Sequence, residues 1–101
     1  MSGVNNPYRY QYETVAASQT AQVLGGTGAT GDYLHRIIVN VTTTATSTVT
    51  LLDNAVSIAL MSANTPVGTY SIEVNAASQS GAWKVTTGAG VNVIAVGIFS
   101  A

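Results

Sequence analysis

The chain has 101 residues, of which seven are charged, one is histidine, ten are glycine and none is cysteine. That length accommodates one cored domain, and a hydrophobic share of 47% excludes disorder through lack of burial. Three basic residues against four acidic ones leave a formal charge of −1, which excludes an electrostatic nucleic-acid binder.

Met1 to Pro7 carries neither a basic n-region nor an apolar h-region, so no secretory signal is expected. Purely apolar runs such as Ile37-Ile38-Val39 fall far short of the roughly 20 residues needed to span a bilayer. Residues 1–7 read as an N-terminal tail or docking arm, and residues 8–101 as a single β domain. Val, Ile and Thr make up 33 of the 101 residues, and these β-branched types favour pleated sheet.

Alternation at period two, broken by turn residues, recurs along the chain. Tyr8, Tyr10 and Tyr12 alternate with Arg9, Gln11 and Glu13, which predicts a strand with an aromatic face. A short strand is expected over Thr20 to Leu24, followed by a flexible loop with four glycines between Gly25 and Asp32. From Tyr33 to Val41 the pattern puts Tyr33, His35, Ile37, Val39 and Val41 on one side, and Leu34, Arg36, Ile38 and Asn40 on the other. A Thr-rich connector over Thr42 to Thr46 leads to a hairpin. Its arms, Ser47 to Leu52 and Asn54 to Leu60, turn at Asp53-Asn54 with Val56, Ile58 and Leu60 inward. Strands over Val67 to Val74, Ala82 to Thr87 and Val91 to Phe99 complete the series. The last is apolar on both sides, as for a strand buried centrally or at a subunit contact. Eight short strands at this spacing predict an all-β antiparallel sandwich or barrel, jelly-roll-like. Ala-Ala-Ser-Gln at Ala16 to Gln19 and again at Ala76 to Gln79 reads as two similar turns.

The residues offer little for bond-making chemistry. His35 is the sole imidazole, so a His-rich metal site is excluded, and zero cysteines remove disulfides and thiolate chemistry. No Gly-x-Ser-x-Gly elbow accompanies His35, which reads as a strand histidine bonded to a loop carbonyl or facing a subunit contact. Glu13, Asp32, Asp53 and Glu73 lie on separate elements, with the two aspartates where turns want Asp and Glu73 on the polar side of a strand. Gly26 to Gly31 formally matches Gly-x-Gly-x-x-Gly, yet a strand follows where an anion-binding helix is needed. Charge at about 7%, against roughly 25% in soluble domains, instead predicts an exterior covered by partners. The tyrosine ladder Tyr8, Tyr10 and Tyr12, the preceding Asn5 and Asn6, and Thr27 and Thr30 in the glycine loop are the candidate partner contacts.

Two segments carry a family resemblance. Gly28-Ala29-Thr30-Gly31-Asp32-Tyr33-Leu34 with its strand, and Ser80 to Gly97 (a Trp83, a Thr/Gly turn and an apolar strand), resemble small virion structural proteins of tailed bacteriophages. The resemblance spans roughly residues 12–99. It implies a β-rich protein in many copies on the capsid surface, decorating or cementing the shell by binding the major capsid protein; with no secretory signal expected, synthesis in the host cytoplasm is expected. The low charge predicts self-association, as a trimer, through apolar strand faces; no cofactor, nucleic acid or membrane is expected, and no enzymatic activity. The alternatives are a tail- or fibre-associated module binding a cell-surface glycan, and a small hydrolase built around His35.

Overall fold

A computed structural model of the protein describes residues 10–101. Its strands are β1 (Gln11–Val15), β2 (Gln22–Val23), β3 (Tyr33–Val41), β4 (Val49–Asp53), β5 (Val56–Met61), β6 (Gly68–Ala77), β7 (Trp83–Thr87) and β8 (Val91–Ile98), with a single 3-10 turn at Thr44–Thr46 in the Thr-rich connector. They form two antiparallel four-stranded sheets, ordered β1-β8-β3-β6 (sheet A) and β2-β7-β4-β5 (sheet B). The expected all-β sandwich is therefore the observed fold. The tail assigned to residues 1–7, and Tyr8 and Arg9 of the expected first strand, lie outside the described residues.

Alternation works because a strand's successive side chains point to opposite faces. Val39, Val41, Val91 and Val93 of sheet A meet Val49, Leu51 and Val85 of sheet B, each at most 1% exposed. Trp83 closes one end of this core and is 3% exposed. Its indole Nε1–H donates to the Asp32 carbonyl at 2.8 Å, so the aromatic body is buried with its polar tip satisfied. Strand β8 lies between β1 and β3, with Val91, Val93 and Ala95 buried against sheet B while Ile94, Val96 and Ile98 point to the outer face of sheet A.

Three expectations change. First, β3 does not alternate throughout. Leu34 pairs with Gly97 and Arg36 with Val96, so His35 is an extra residue against β8. This β-bulge turns Leu34 into the core beside Ile37, and puts Tyr33 and His35 on the outside with Arg36, which keeps its expected side. Beside it, β6 spends three steps, Glu73 to Ala76, against the same two steps of β3, with Asn75 in the left-handed region at φ 51°. Second, the hairpin turns at Asn54-Ala55, Asn54 taking φ 57°, while Asp53 ends β4. A bulge between Val49 and Thr50 then pairs Met61, rather than Leu60, with the buried Val49. Val56 and Ile58 do face inward, but at the free edge of sheet B they remain 54% and 40% exposed. Third, the two Ala-Ala-Ser-Gln segments differ. Ser18 sits at φ 60° in a turn, whereas Ser78 is buried and its hydroxyl donates to the Ala29 carbonyl.

Gly97 is where the bulge is locked. A Cβ there would overlap the Tyr33 carbonyl oxygen and stand 2.9 Å from the Phe99 ring. Gly31, at φ +95°, has no atom within 4 Å of its Cβ position, so Gly31→Ala carries backbone strain alone, about 1–2 kcal/mol. Gly97→Ala is expected to cost more than that, because β8 must move away from β3 or the bulge must reorganise. Urea midpoints of the two variants measure the difference; equal losses would show that close approach at Gly97 is not what fixes the bulge.

Candidate functional site

The outward face of sheet A collects the aromatic residues. Register places Ile98 opposite Tyr33, Tyr12 opposite Val96, and Ile94 between Thr14 and Ile38. Tyr10, immediately before β1, reaches across to β3. Its ring stacks on His35 with centroids 4.6 Å apart and planes 14° from parallel, and on Tyr33 at 6.1 Å. Tyr10 and Tyr12 are 52% and 72% exposed, so these rings are not filling the core. Of the two sides of β1, the polar one faces inward. Glu13 accepts hydrogen bonds from Gln22 Nε2 at 2.9 Å and the Gly25 amide at 2.7 Å, and Gln11 Oε1 accepts from the Phe99 amide.

A polar chain runs beside the rings. The Tyr33 hydroxyl donates to Asn75 Oδ1 at 3.1 Å, and Asn75 Nδ2 donates to Glu73 Oε2 at 3.3 Å. Desolvation, then the neighbouring Tyr10 and Glu73, hold the Tyr33 hydroxyl above its usual pKa. Arg36 and Glu73 are register partners on this face. Arg36 Nη1 nevertheless donates to Ser71 Oγ at 3.3 Å, while Glu73 turns to Asn75.

His35 was expected on the side of Ile37 and Val39; the bulge carries it to the opposite face. Its Nδ1 is buried without a hydrogen-bond partner among the described residues, so the expected bond to a loop carbonyl is absent at that atom. The carboxylates of Glu13, Asp32 and Asp53 serve the backbone. Asp53 accepts from the amides of Gln79 and Ser80 at 2.9 and 3.0 Å. Asp32 accepts from the Ala29 and Ser100 amides and from the Ser100 hydroxyl at 2.7 Å. Among the described residues, no group of three or more His, Cys, Asp and Glu side chains is placed to hold a metal ion. None of their helices is long and apolar enough to cross a membrane.

The remaining candidates separate. Thr27 and Thr30 are exposed in the glycine loop, where Thr27 Oγ1 donates to the Ala101 carbonyl at 3.0 Å. This loop leads into Tyr33 and so lies at the same end of the sandwich as the ring stack. Asn5, Asn6 and Tyr8 lie outside the described residues. Sequence reasoning missed Tyr33 and His35 as members of the aromatic face, because uninterrupted alternation assigns them to the core, whereas Arg36 lies on the side it was read to be on. The only signal available was the apolar outer side of β8. No family model matches the chain, and no curated protein and no solved structure matches it significantly.

Two measurements test this arrangement. His35→Phe keeps the stack and removes the orphaned nitrogen, so it is expected to stabilise the protein by about 1 kcal/mol, whereas His35→Ala loses the stack and destabilises by a similar amount. Thermal melts decide, and a loss in both variants would mean that Nδ1 has a partner. The raised Tyr33 pKa means that the folded state holds this proton more tightly than the unfolded one. Its contribution is complete below pH 10, the ordinary tyrosine value, and is lost as pH rises above it. Tyr33→Phe is therefore expected to show a shallower alkaline fall in melting temperature than the parent.

Proposed function

We propose that the protein is a phage virion structural component, a decoration or cement module that binds the major capsid protein and self-associates on the capsid surface. The observation that carries the reading is the contact between the two segments bearing the family resemblance. Trp83, from Ser80–Gly97, donates its indole N–H to the carbonyl of Asp32, from Gly28–Leu34. Gly28 also lies so close to Ala82 that a Cβ would come within 2.5 Å of the Ala82 methyl group. The resemblance thus falls on one packed unit that sets the fold. The order β1-β8-β3-β6 over β2-β7-β4-β5, two sheets of four with strands exchanged between them, supports reading the sandwich as a jelly roll.

A cementing protein bridges joints between shell subunits, which asks for a rigid scaffold and complementary surface and for no titratable machinery. The use of Glu13, Asp32 and Asp53 as backbone acceptors supports that reading, in which no bond is made or broken. A second reading, a tail- or fibre-associated module for a cell-surface glycan, is favoured by the Tyr12 ring, 72% exposed on a face that also holds Asn75, Glu73 and Arg36.

Quantitative mass spectrometry and electron cryo-microscopy of purified particles separate the two. The decoration reading expects a copy number in fixed proportion to the major capsid protein and density over the shell. A handful of copies at one vertex, with glycan-array binding abolished by Tyr12→Ala, would replace it with the second reading.

A further inference from the structure

The outer face of sheet A has the anatomy of a protein interface. Its centre, formed by Ile94, Val96, Ile98, Ile38 and the Tyr10–His35 stack, is apolar, and Thr14, Asn40, Ser71 and Asn92 border it. Eight residues of β8 at about 3.3 Å each, and four strands about 4.8 Å apart, give a flat area of roughly 500 Å² in projection. Side-chain relief enlarges that figure, which is on the scale of the roughly 800 Å² that a specific interface takes from each partner. The aliphatic centre suits another protein surface better than a hydroxylated sugar.

Charge identifies the partner. Among the described residues the face carries one cation, Arg36, and one anion, Glu73, adjacent in register yet turned to Ser71 and Asn75 rather than to each other. Any copy of the same face offers a carboxylate to Arg36 and a guanidinium to Glu73, and the two charges cancel, so copies do not repel. The geometry points to self-association through this face: the outer surface of sheet A docks on sheet A of a second copy, with Arg36 of each subunit meeting Glu73 of its neighbour. The inference rests on the reading of the protein as a self-associating decoration module, and supplies the surface which that reading leaves unassigned.

Sedimentation velocity of the full chain, from about 1 to about 100 µM, tests it. The parent is expected to sediment as more than one chain. Ile94→Lys and Tyr12→Lys weaken association roughly tenfold or more, and Ser57→Lys, on the outer face of sheet B, leaves it unchanged. Arg36→Glu and Glu73→Arg each weaken self-association, and mixing these two variants restores it, because every contact between unlike chains then pairs opposite charges. That rescue does not depend on how well Ile94→Lys folds. A monomeric parent at the highest concentration, or association indifferent to both the Ile94 and the charge variants, overturns the inference. Pelleting with shells separates it from the broader reading. Monomeric protein that still binds shells overturns this contact alone, whereas associated protein without shell affinity overturns the decoration reading and leaves the contact standing.

Discussion

The bulge at His35-Arg36 is the constraint on which the described face depends. Counting back from Ile37, strict alternation would send His35 and Tyr33 into the core and Leu34 to solvent. One extra residue against β8 reverses all three assignments. Leu34 becomes fully buried, and the imidazole and phenol reach a surface where Tyr10 stacks on them. Gly97 makes this possible, because the Tyr33 carbonyl occupies the space that any side chain at that position would need. The neighbouring β6 answers with its own extra residue and the left-handed Asn75, whose amide then joins Tyr33 to Glu73. A local irregularity in backbone count thereby sets which chemistry the whole sheet presents.

Most of the strand plan was legible because burial and alternation coincide in this chain. Tyr33 to Val41 and the two-sided Val91 to Phe99 were readable from β-branched alternation and from glycine punctuation, and their ends agree with the observed strands to within a residue. The outward aromatic side of β1 was readable as a partner contact, but its cause was not: Glu13 points inward because its carboxylate has a particular amide, that of Gly25, to receive. Hydrophobicity alone reverses that assignment. The exposure of Val56 and Ile58 was hidden for another reason. Their inward direction is a property of the strand, while their solvent contact follows from β5 being an edge, which only the pairing of distant segments decides. The candidate face was partly visible through Tyr10 and Tyr12, whereas His35 was misplaced by the same unbroken alternation that served well elsewhere.

The carboxylates show where the few charges are used. Asp32 gathers Ala29 and Ser100, its own carbonyl receives the Trp83 indole and the Ser78 amide, and Asp53 gathers Gln79 and Ser80. Each fixes a loop that would otherwise bury unpaired amide groups. A chain without disulfides and with few ionic side chains thus uses Asp32 and Asp53 for loop closure.

That allocation leaves the two outer faces unequal, and the inequality carries functional weight. Sheet B turns Thr50, Thr86, Ser57 and Lys84 outward around Leu52 and Val23, so its outer face holds more small and polar groups and, among the described residues, no aromatic ring. Sheet A turns out tyrosines, isoleucines and an imidazole whose Nδ1 is already desolvated. A free monomer gains nothing from such a face, since apolar area left in water forgoes roughly 25 cal/mol per Å². Its low charge also removes the ordinary safeguard against non-specific association. The arrangement is coherent for a molecule that lives with sheet A covered and sheet B wet. Arg36 and Glu73, set within the apolar field but unpaired with each other, then act as selectors: they add little to affinity, yet a neighbour that fails to present the opposite charge leaves each of them desolvated and alone.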